Sequence, residues 1–256
     1  MNTLINEDCH VALKSLKDSS VDMVLTDPPY NTTKNKYEAL LNWDLIWAEL
    51  NRVCKPKAPI VLFGQMPFSA MLINSNINGY KHYWVWQKNL AGNFAVAKYQ
   101  PLSVTEDIHV FNLDDEEFAA EHIYVFSKDG KSINYYPQMV KGKMRKKGGK
   151  AKSGQGFGGL DPVYYWSDDY YPTNILNFPV VSRIHSLHPS QKPVELLEYL
   201  INTYSQENDT VLDFAAGVFS TGIACKNLNR NFIGIEVDSS YFNIAKERLN
   251  EYDIFT

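Results

Sequence analysis

Residues 24–31, VLTDPPYN, set a carboxylate, two prolines and a phenol at the end of an apolar run. The run reads as a buried strand ending at Thr26, followed by a turn that Pro28 and Pro29 freeze, because proline fixes φ and donates no backbone hydrogen bond. A rigid turn at the carboxyl end of a strand is where open α/β sheets hold ligands. The Asp27 carboxylate and the Pro28 carbonyl are then two hydrogen-bond acceptors at one mouth, and the ring of Tyr30 is a stacking platform beside them. Two acceptors and a platform suit a planar base that presents an NH2 group. Such an amine is a poor nucleophile, because its lone pair is delocalised into the ring. Accepting hydrogen bonds from both of its N–H groups draws the nitrogen toward tetrahedral geometry and frees the lone pair for attack. Inside a duplex the base is out of reach, so it is flipped out or already single-stranded.

A second stretch, residues 209–236, carries a different chemistry. A strand ends in Asp213, a small-residue turn follows, a helix begins, and the next strand ends in Glu236. That is the layout of a nucleoside-binding βαβ unit, in which small residues let the backbone approach the ligand and the final acid takes ribose hydroxyls. Between Asp213 and Gly222, however, Gly217 is the only glycine, and an ordinary packed strand–helix corner fits the pattern as well. Cys9, Cys54 and Cys225 lie far apart without a CxxC pair. Neither a disulfide framework nor a zinc site is signalled, and no metal is expected.

The elements that must position these groups alternate. Strands are expected at 21–26, 59–63 and 82–87, with helices at 9–16, 44–54 and 67–75. From residue 181 the rhythm resumes: Leu196, Leu197, Leu200, Ile201 and Tyr204 fall at helical spacing. A strand at 210–214, a helix at 219–228, a strand at 231–236 and a helix at 239–250 follow. This alternation predicts an α/β fold, a mostly parallel twisted sheet with helices on both faces. Residues 1–112 and 181–256 form its body, and 113–180, rich in Gly, Tyr, Lys and Asp, read as an irregular insertion. AEHIYVF (120–126) within these residues resembles TEDIHVF (105–111) just before them, as two strands of a hairpin or a local duplication. Trp84 and Trp86 read as the core and edge of one strand rather than as a base-stacking platform.

Of the 256 residues 45% are hydrophobic and 21% charged, which is a globular composition. No apolar run approaches the ~20 residues that span a bilayer. The start lacks the basic-then-apolar layout of a signal peptide, so a cytoplasmic protein without a membrane partner is expected. The net charge of −4 argues weakly against nucleic acid, but its distribution does not. Residues 141–152, KGKMRKKGGKAK, hold seven positive charges and no negative one, downstream of an acidic block at Asp114–Glu117. Separated charge of this kind is either a phosphate-binding patch, made of Lys141, Lys143, Arg145, Lys146, Lys147 and Lys150 among others, or a solvated loop.

TDPPY, followed by HPSQKPVELLEYLI (188–201) and VLDFAAGVFSTGIACKNLNRNFIGIEVD (211–238), resembles the beta-class DNA amino-methyltransferases. The resemblance covers nearly the whole chain. In that class the catalytic motif precedes the cofactor motifs, with a target-recognition segment between them, and the order here matches. It implies a Rossmann-like methyltransferase fold with permuted motifs. S-adenosylmethionine would be the cofactor, DNA the partner, and the reaction would be methylation of adenine N6 or cytosine N4. The role of 113–180 would be target recognition, and a homodimer stays open. Asp27, Pro28, Pro29 and Tyr30 become the candidate catalytic residues. NEDC sets Asp8 near the cofactor adenine, Ser190 and Lys192 near its methionine end, and Glu236 on its ribose. Asp27, Asp213, Gly217, Ser220 and Thr221 complete the cofactor set. DPPY resembles the adenine enzymes, since the cytosine enzymes more often begin this motif with Ser. Against these roles stand plainer ones: Asp8 as a helix cap, Lys192 as a solvated charge, and His188 as a loop histidine.

One stretch departs from the family. FAAGVFST has Val218 and Phe219 where a small residue and a glycine are expected. Phenylalanine is disfavoured at φ > 0, and its ring must either turn away or stand in the cofactor's space. The first outcome is an active methyltransferase; the second is a catalytically weak or inactive relative kept as a DNA-binding or partner subunit. Cofactor titration separates them.

Overall fold

The computed structural model describes residues 2–30, 41–92, 98, 103–111, 133–147, 165–182, 184, 186–188 and 191–251. Two compact units divide the chain, Met1–Tyr136 with Asn174–Thr256, and Pro137–Thr173.

In the first unit β1 (Asn2–Ile5), α1 (Cys9–Ser15), β2 (Met23–Thr26), α2 (Trp43–Val53), β3 (Ile60–Gly64) and α3 (Phe68–Ser75) are followed by two long strands, β4 (Tyr80–Gly92) and β5 (Ser103–Phe111). The second unit holds β6 (Val140–Lys147) and β7 (Tyr165–Tyr170). The chain then returns to the first unit with β8 (Ile175–Asn177), α4 (Val194–Tyr204), β9 (Thr210–Asp213), α5 (Ser220–Asn227), β10 (Asn231–Ile235) and α6 (Ser239–Glu251).

Eight strands form one sheet in the order β1–β10–β9–β2–β3–β5–β4–β8. All neighbours pair in parallel except β5, which runs antiparallel to both β3 and β4. The apolar runs of the central strands are buried on both faces, as parallel strands under helices require. Alternation decides which side each residue takes. Met23, Leu25, Val61 and Phe63 pack with α4, α5 and α6, including Leu196, Leu200, Ile223 and Leu249. Val24, Ile60 and Leu62 pack on the opposite face with Leu13, Ile46, Leu50 and Leu72 of α1, α2 and α3. The expected fold class is therefore the observed one.

From β2 the chain leaves toward β3, and from β9 it leaves in the opposite direction toward β10. The carboxyl ends of these adjacent strands form the topological switch point, where ligands bind in such sheets. Asp27 follows β2 and Asp213 ends β9. The two motifs read from sequence thus meet, and the Phe214 N–H donates to Thr26 Oγ1 at 3.2 Å.

Some expectations need revision. Trp84 and Trp86 share one face and both lie in the core, with none at an edge. β8, which falls in the range 113–180, is a strand of the main sheet, pairing Val85 with Ile175. Residues 140–147 and 165–170 are not irregular but an antiparallel pair, Val140 opposite Tyr170 and Lys146 opposite Trp166. Tyr and Trp favour the pleated backbone of β7, whereas composition alone reads as loop. The stretch 120–126 lies outside the described residues.

Tyr204 ties β4 to α4. Its fully buried hydroxyl accepts from Trp84 Nε1 at 2.6 Å and meets His82 Nε2 at 2.7 Å, and burial lowers the His82 pKa to about 4. Tyr204→Phe leaves the buried Trp84 N–H without its acceptor. Urea unfolding is expected to show a loss of about 1–3 kcal/mol.

Candidate active site

Asp27 lies just past β2, and both of its oxygens are engaged. Tyr30 Oη donates to Oδ1 at 2.6 Å, and Lys192 Nζ donates to Oδ2 at 2.5 Å. Lys192 precedes α4, and its side chain is buried, with the ammonium 4.9 Å from the centre of the Phe63 ring. A second carboxylate joins this pair. Glu106 of β5 receives Lys192 Nζ on Oε1 at 3.0 Å and Lys88 Nζ on Oε2 at 2.6 Å, and Tyr30 Oη reaches the same Oε1 at 2.8 Å. Two carboxylates and two ammonium groups make the cluster neutral as a whole. An ion pair can be buried only when its charges are matched and hydrogen-bonded in this way.

The electrostatics follow from that packing. Burial, reinforced by Glu106 and opposed by Lys192, raises the Asp27 carboxyl above its ordinary range. Burial alone would lower Lys192, but Asp27 and Glu106 outweigh it and hold the ammonium protonated. Glu106 is likewise pulled down by Lys192 and Lys88 against the opposing effect of burial. The Tyr30 phenol is pushed up by burial and by both carboxylates, so it stays a neutral donor. Its ring stacks on Phe68, centroids 4.9 Å apart.

The second group of residues surrounds the ends of β9, β10 and β1. Glu236 is buried and accepts from Gly217 N on Oε2 and from Asp238 N on Oε1, each at 2.8 Å. As an ionised carboxylate it keeps a further lone pair on each oxygen. Gly217 has φ +51°, and a Cβ placed there would meet nothing within 4 Å. The backbone therefore borders open space beside a carboxylate, whose remaining acceptor positions fit a ribose diol. Asp8 caps α1 through the His10 N–H, at 2.8 Å, and Oδ1 also meets His10 Nδ1 at 3.0 Å. The plainer reading of Asp8 is thus realised; it follows β1, whose last residue, Ile5, accepts from the Glu236 N–H at 3.1 Å.

Other sequence candidates are used inside the protein. Thr221 Oγ1 donates to Asp213 Oδ2 at 2.6 Å, and Ser220 Oγ accepts from Arg248 Nη1 at 3.1 Å. Lys192 is no solvated charge. His188 packs edge-on against Tyr241, ring centroids 4.4 Å apart. Ser190 and Lys150 lie outside the described residues. In the second unit Lys141 bridges Asp168 at 2.9 Å and Asp169 at 2.8 Å. Arg145 lies 4.1 Å from the centre of the Tyr170 ring, and the Lys143 carbonyl accepts from Tyr170 Oη at 2.7 Å. Lys143, Arg145 and Lys146 are exposed on β6, and Lys147 ends it. Residues 141–147 of the basic run thus lie on a strand, and acids of β7 answer Lys141. Cys9 and Cys54 are buried thiols pushed up to about 12, burial being the main cause, which makes neither a nucleophile at neutral pH.

Glu106 and Lys88 escaped the sequence reading, although a signal was present. Trp84, Trp86 and Lys88 alternate along β4, and Glu106, Ile108 and Val110 along β5, so each charge falls on a face whose other members are core residues. A charge on an inward face requires a partner.

Phe219 adopts φ 56° and ψ 38°, the left-handed region, yet its ring is fully buried. It turns into the core, edge-on to Phe232 and Phe242 with centroids 5.7 Å away in both cases. Gly234 makes the room: a Cβ there would come within 2.5 Å of the Phe232 ring. The Arg248 guanidinium closes the loop by donating to the Val218 carbonyl at 2.9 Å. The ring therefore does not obstruct the open side at Gly217.

The family described as DNA methylase (N6_N4_Mtase) matches residues 21–247. "DNA adenine methyltransferase YhdJ" of Escherichia coli (strain K12) is 28% identical over 266 residues, covering 97% of this chain and 82% of that protein. The structure of an M1.HpyAVI–SAM complex superposes with a TM-score of 0.61 at 24% identity, over 97% of this chain and 100% of that one. PvuII DNA methyltransferase, cytosine-N4-specific, gives 0.64 at 17% identity, over 96% and 86%. Both structures share the fold of this chain.

Two outcomes follow from these observations. Phe219→Gly relieves a left-handed conformation worth roughly 1–2 kcal/mol but empties a core site worth about 3–5 kcal/mol. A net loss of about 1–4 kcal/mol is expected in urea unfolding, and calorimetry of Val218→Ser with Phe219→Gly should show no gain in cofactor affinity. Asp213 is raised by burial from 3.8 to about 7. Folded protein thus holds a proton that the unfolded chain has lost, so the stability this group contributes is full below about 4 and lost as pH rises through about 7. Unfolding measured from pH 4 to 8 should show Asp213→Asn gaining on the wild type across that window.

Proposed function

Because the chain belongs to the N6/N4 DNA methylase family, we propose that it transfers a methyl group to the N6 amine of adenine in DNA. The observation that carries this reading is the Asp27 carboxylate, fixed through both oxygens at the switch point of the sheet. S-adenosylmethionine supplies the methyl group on a sulfonium, an electrophile whose departure leaves a neutral thioether. Gly217, Glu236 and Asp8 are the residues that would hold its nucleoside.

The rest falls to the chain's own residues. Asp27 and the Pro28 carbonyl accept the two N–H groups of the target amine, drawing its lone pair out of conjugation with the ring. Pro29 keeps the turn rigid. Tyr30 offers the face of its ring not stacked on Phe68 to the extruded base. The methylated amine loses its proton to Asp27 or to solvent, and no covalent enzyme intermediate is required. Lys143, Arg145 and Lys146 of the exposed β6 strand are read as phosphate contacts, which position DNA without specifying sequence. Of the range 113–180, the second unit, Pro137–Thr173, is read as the target-recognition segment that contains them. The form DPPY and the adenine specificity named for YhdJ support adenine over cytosine. Phe219, turned into the core, leaves the reading of a degenerate cofactor loop without its steric basis.

Methylation of unmodified DNA with labelled S-adenosylmethionine, followed by digestion to nucleosides, tests this directly. Label in N6-methyl-2′-deoxyadenosine is expected; label in N4-methyl-2′-deoxycytidine would assign the chain to cytosine instead. Asp27→Ala should abolish incorporation while the folded circular dichroism spectrum is kept.

A further inference from the structure

The group that holds Asp27 Oδ2 is itself held by a second carboxylate. Lys192 Nζ, on Asp27 Oδ2 at 2.5 Å, also donates to Glu106 Oε1 at 3.0 Å, and the Tyr30 hydroxyl, whose single proton goes to Asp27 Oδ1 at 2.6 Å, lies 2.8 Å from the same Oε1. Glu106 Oε2 is in turn fixed by Lys88 at 2.6 Å. Without that anchor the lysine has a single carboxylate to bind, and the carboxylate plane of Asp27 is free to turn with it. We propose that Glu106 is a positioning residue for methyl transfer, acting through Lys192 to fix the orientation of Asp27 so that each of its oxygens keeps one lone pair for the incoming amine.

The proposal deepens the reading above and rests on Asp27 as the acceptor of the target amine. It holds equally for adenine and cytosine, because it concerns the acceptor and not the base. Glu106 touches neither base nor cofactor in this scheme; a displaced acceptor is its only route to the rate. Misplacement of a reacting group by about 1 Å can cost on the order of 100-fold.

Glu106 also acts on Asp27 by charge. The groups facing Asp27 are Tyr30 on its own turn, Lys192 ahead of α4, Glu106 on β5 with Lys88 of β4 behind it, and Asp213 at the end of β9. His188 stands near Lys192. Glu106 contributes a negative charge that opposes ionisation of Asp27. Neutralising it should let Asp27 ionise at lower pH, even as its orientation loosens. A role in packing alone has no such signature.

The test is single-turnover methylation of DNA at saturating S-adenosylmethionine across pH 5 to 9, for wild type, Asp27→Ala, Glu106→Gln and Glu106→Gln with Lys88→Met. Glu106→Gln is expected to slow transfer by on the order of 100-fold, with cofactor affinity by calorimetry unchanged and the acid limb moved to lower pH. The double variant removes the Lys88 charge together with its partner. It should recover stability but not rate, because the neutral amide that replaces Glu106 holds the Lys192 ammonium less firmly than a carboxylate does. A wild-type rate in Glu106→Gln, a slowed rate with an unmoved acid limb, or recovery of rate in the double variant each overturns the proposal. So does failure of both variants to fold, which would make Glu106 a folding residue. Transfer surviving in Asp27→Ala would instead sink the underlying reading of Asp27, whatever Glu106 does.

Discussion

In the proposed reaction, a carboxylate that accepts hydrogen bonds from a neutral amine has to be sheltered, ionised and still, and these demands conflict. Water withdrawn from Asp27 makes its charge costly, which burial alone would resolve by protonating it. The fold resolves the conflict with Lys192, whose ammonium is worth far more to Asp27 in a sheltered site than in water. Burying that ammonium then creates the same difficulty again, and Glu106 and Lys88 answer it in turn. The cluster draws on the turn after β2, on β4 and β5, and on the segment before α4, so the sheet order that joins these elements is also what allows the charge to exist.

The antiparallel placement of β5 follows the same logic. Parallel strands deliver their carboxyl ends to the ligand edge, so only residues at strand ends reach it. β5, reversed between β3 and β4, brings its first half to that edge instead. Gly64 at the end of β3 pairs with Asp107, and Glu106 stands next to it. A strand start thus contributes a charge where its neighbours contribute turns.

Much of this was legible in the sequence because it rests on local pattern. DPPY names its own turn, and the spacing of Leu196, Leu200 and Tyr204 names a helix and its buried face. Asp213 and Glu236 mark the ends of two adjacent parallel strands. Glu106 was less visible because its meaning lies in pairing: alternation shows that it points inward, but its partners come from residues 18 and 86 positions away in sequence. Phe219 illustrates a different limit. The rule that phenylalanine avoids positive φ is correct as a local cost, and the ring's burial against Phe232 and Phe242 outweighs it. Nothing local to VFST states that Gly234, on the following strand, leaves space for the arrangement. The fate of the basic run was hidden for a similar reason, since the acids that answer Lys141 lie on β7, well beyond the run itself.

The neutral, enclosed charge cluster has a consequence for ionic strength. Mobile ions screen charges that face solvent over a distance of about 10 Å at 0.1 M salt, and they act far less on buried or partly buried pairs. The Lys141 pairs of the second unit are exposed and belong to the first class; Asp27, Lys192 and Glu106 belong to the second. Added salt therefore weakens the Lys141 pairs and leaves the Asp27, Lys192 and Glu106 cluster in place. The two charged regions of this protein respond to the medium separately.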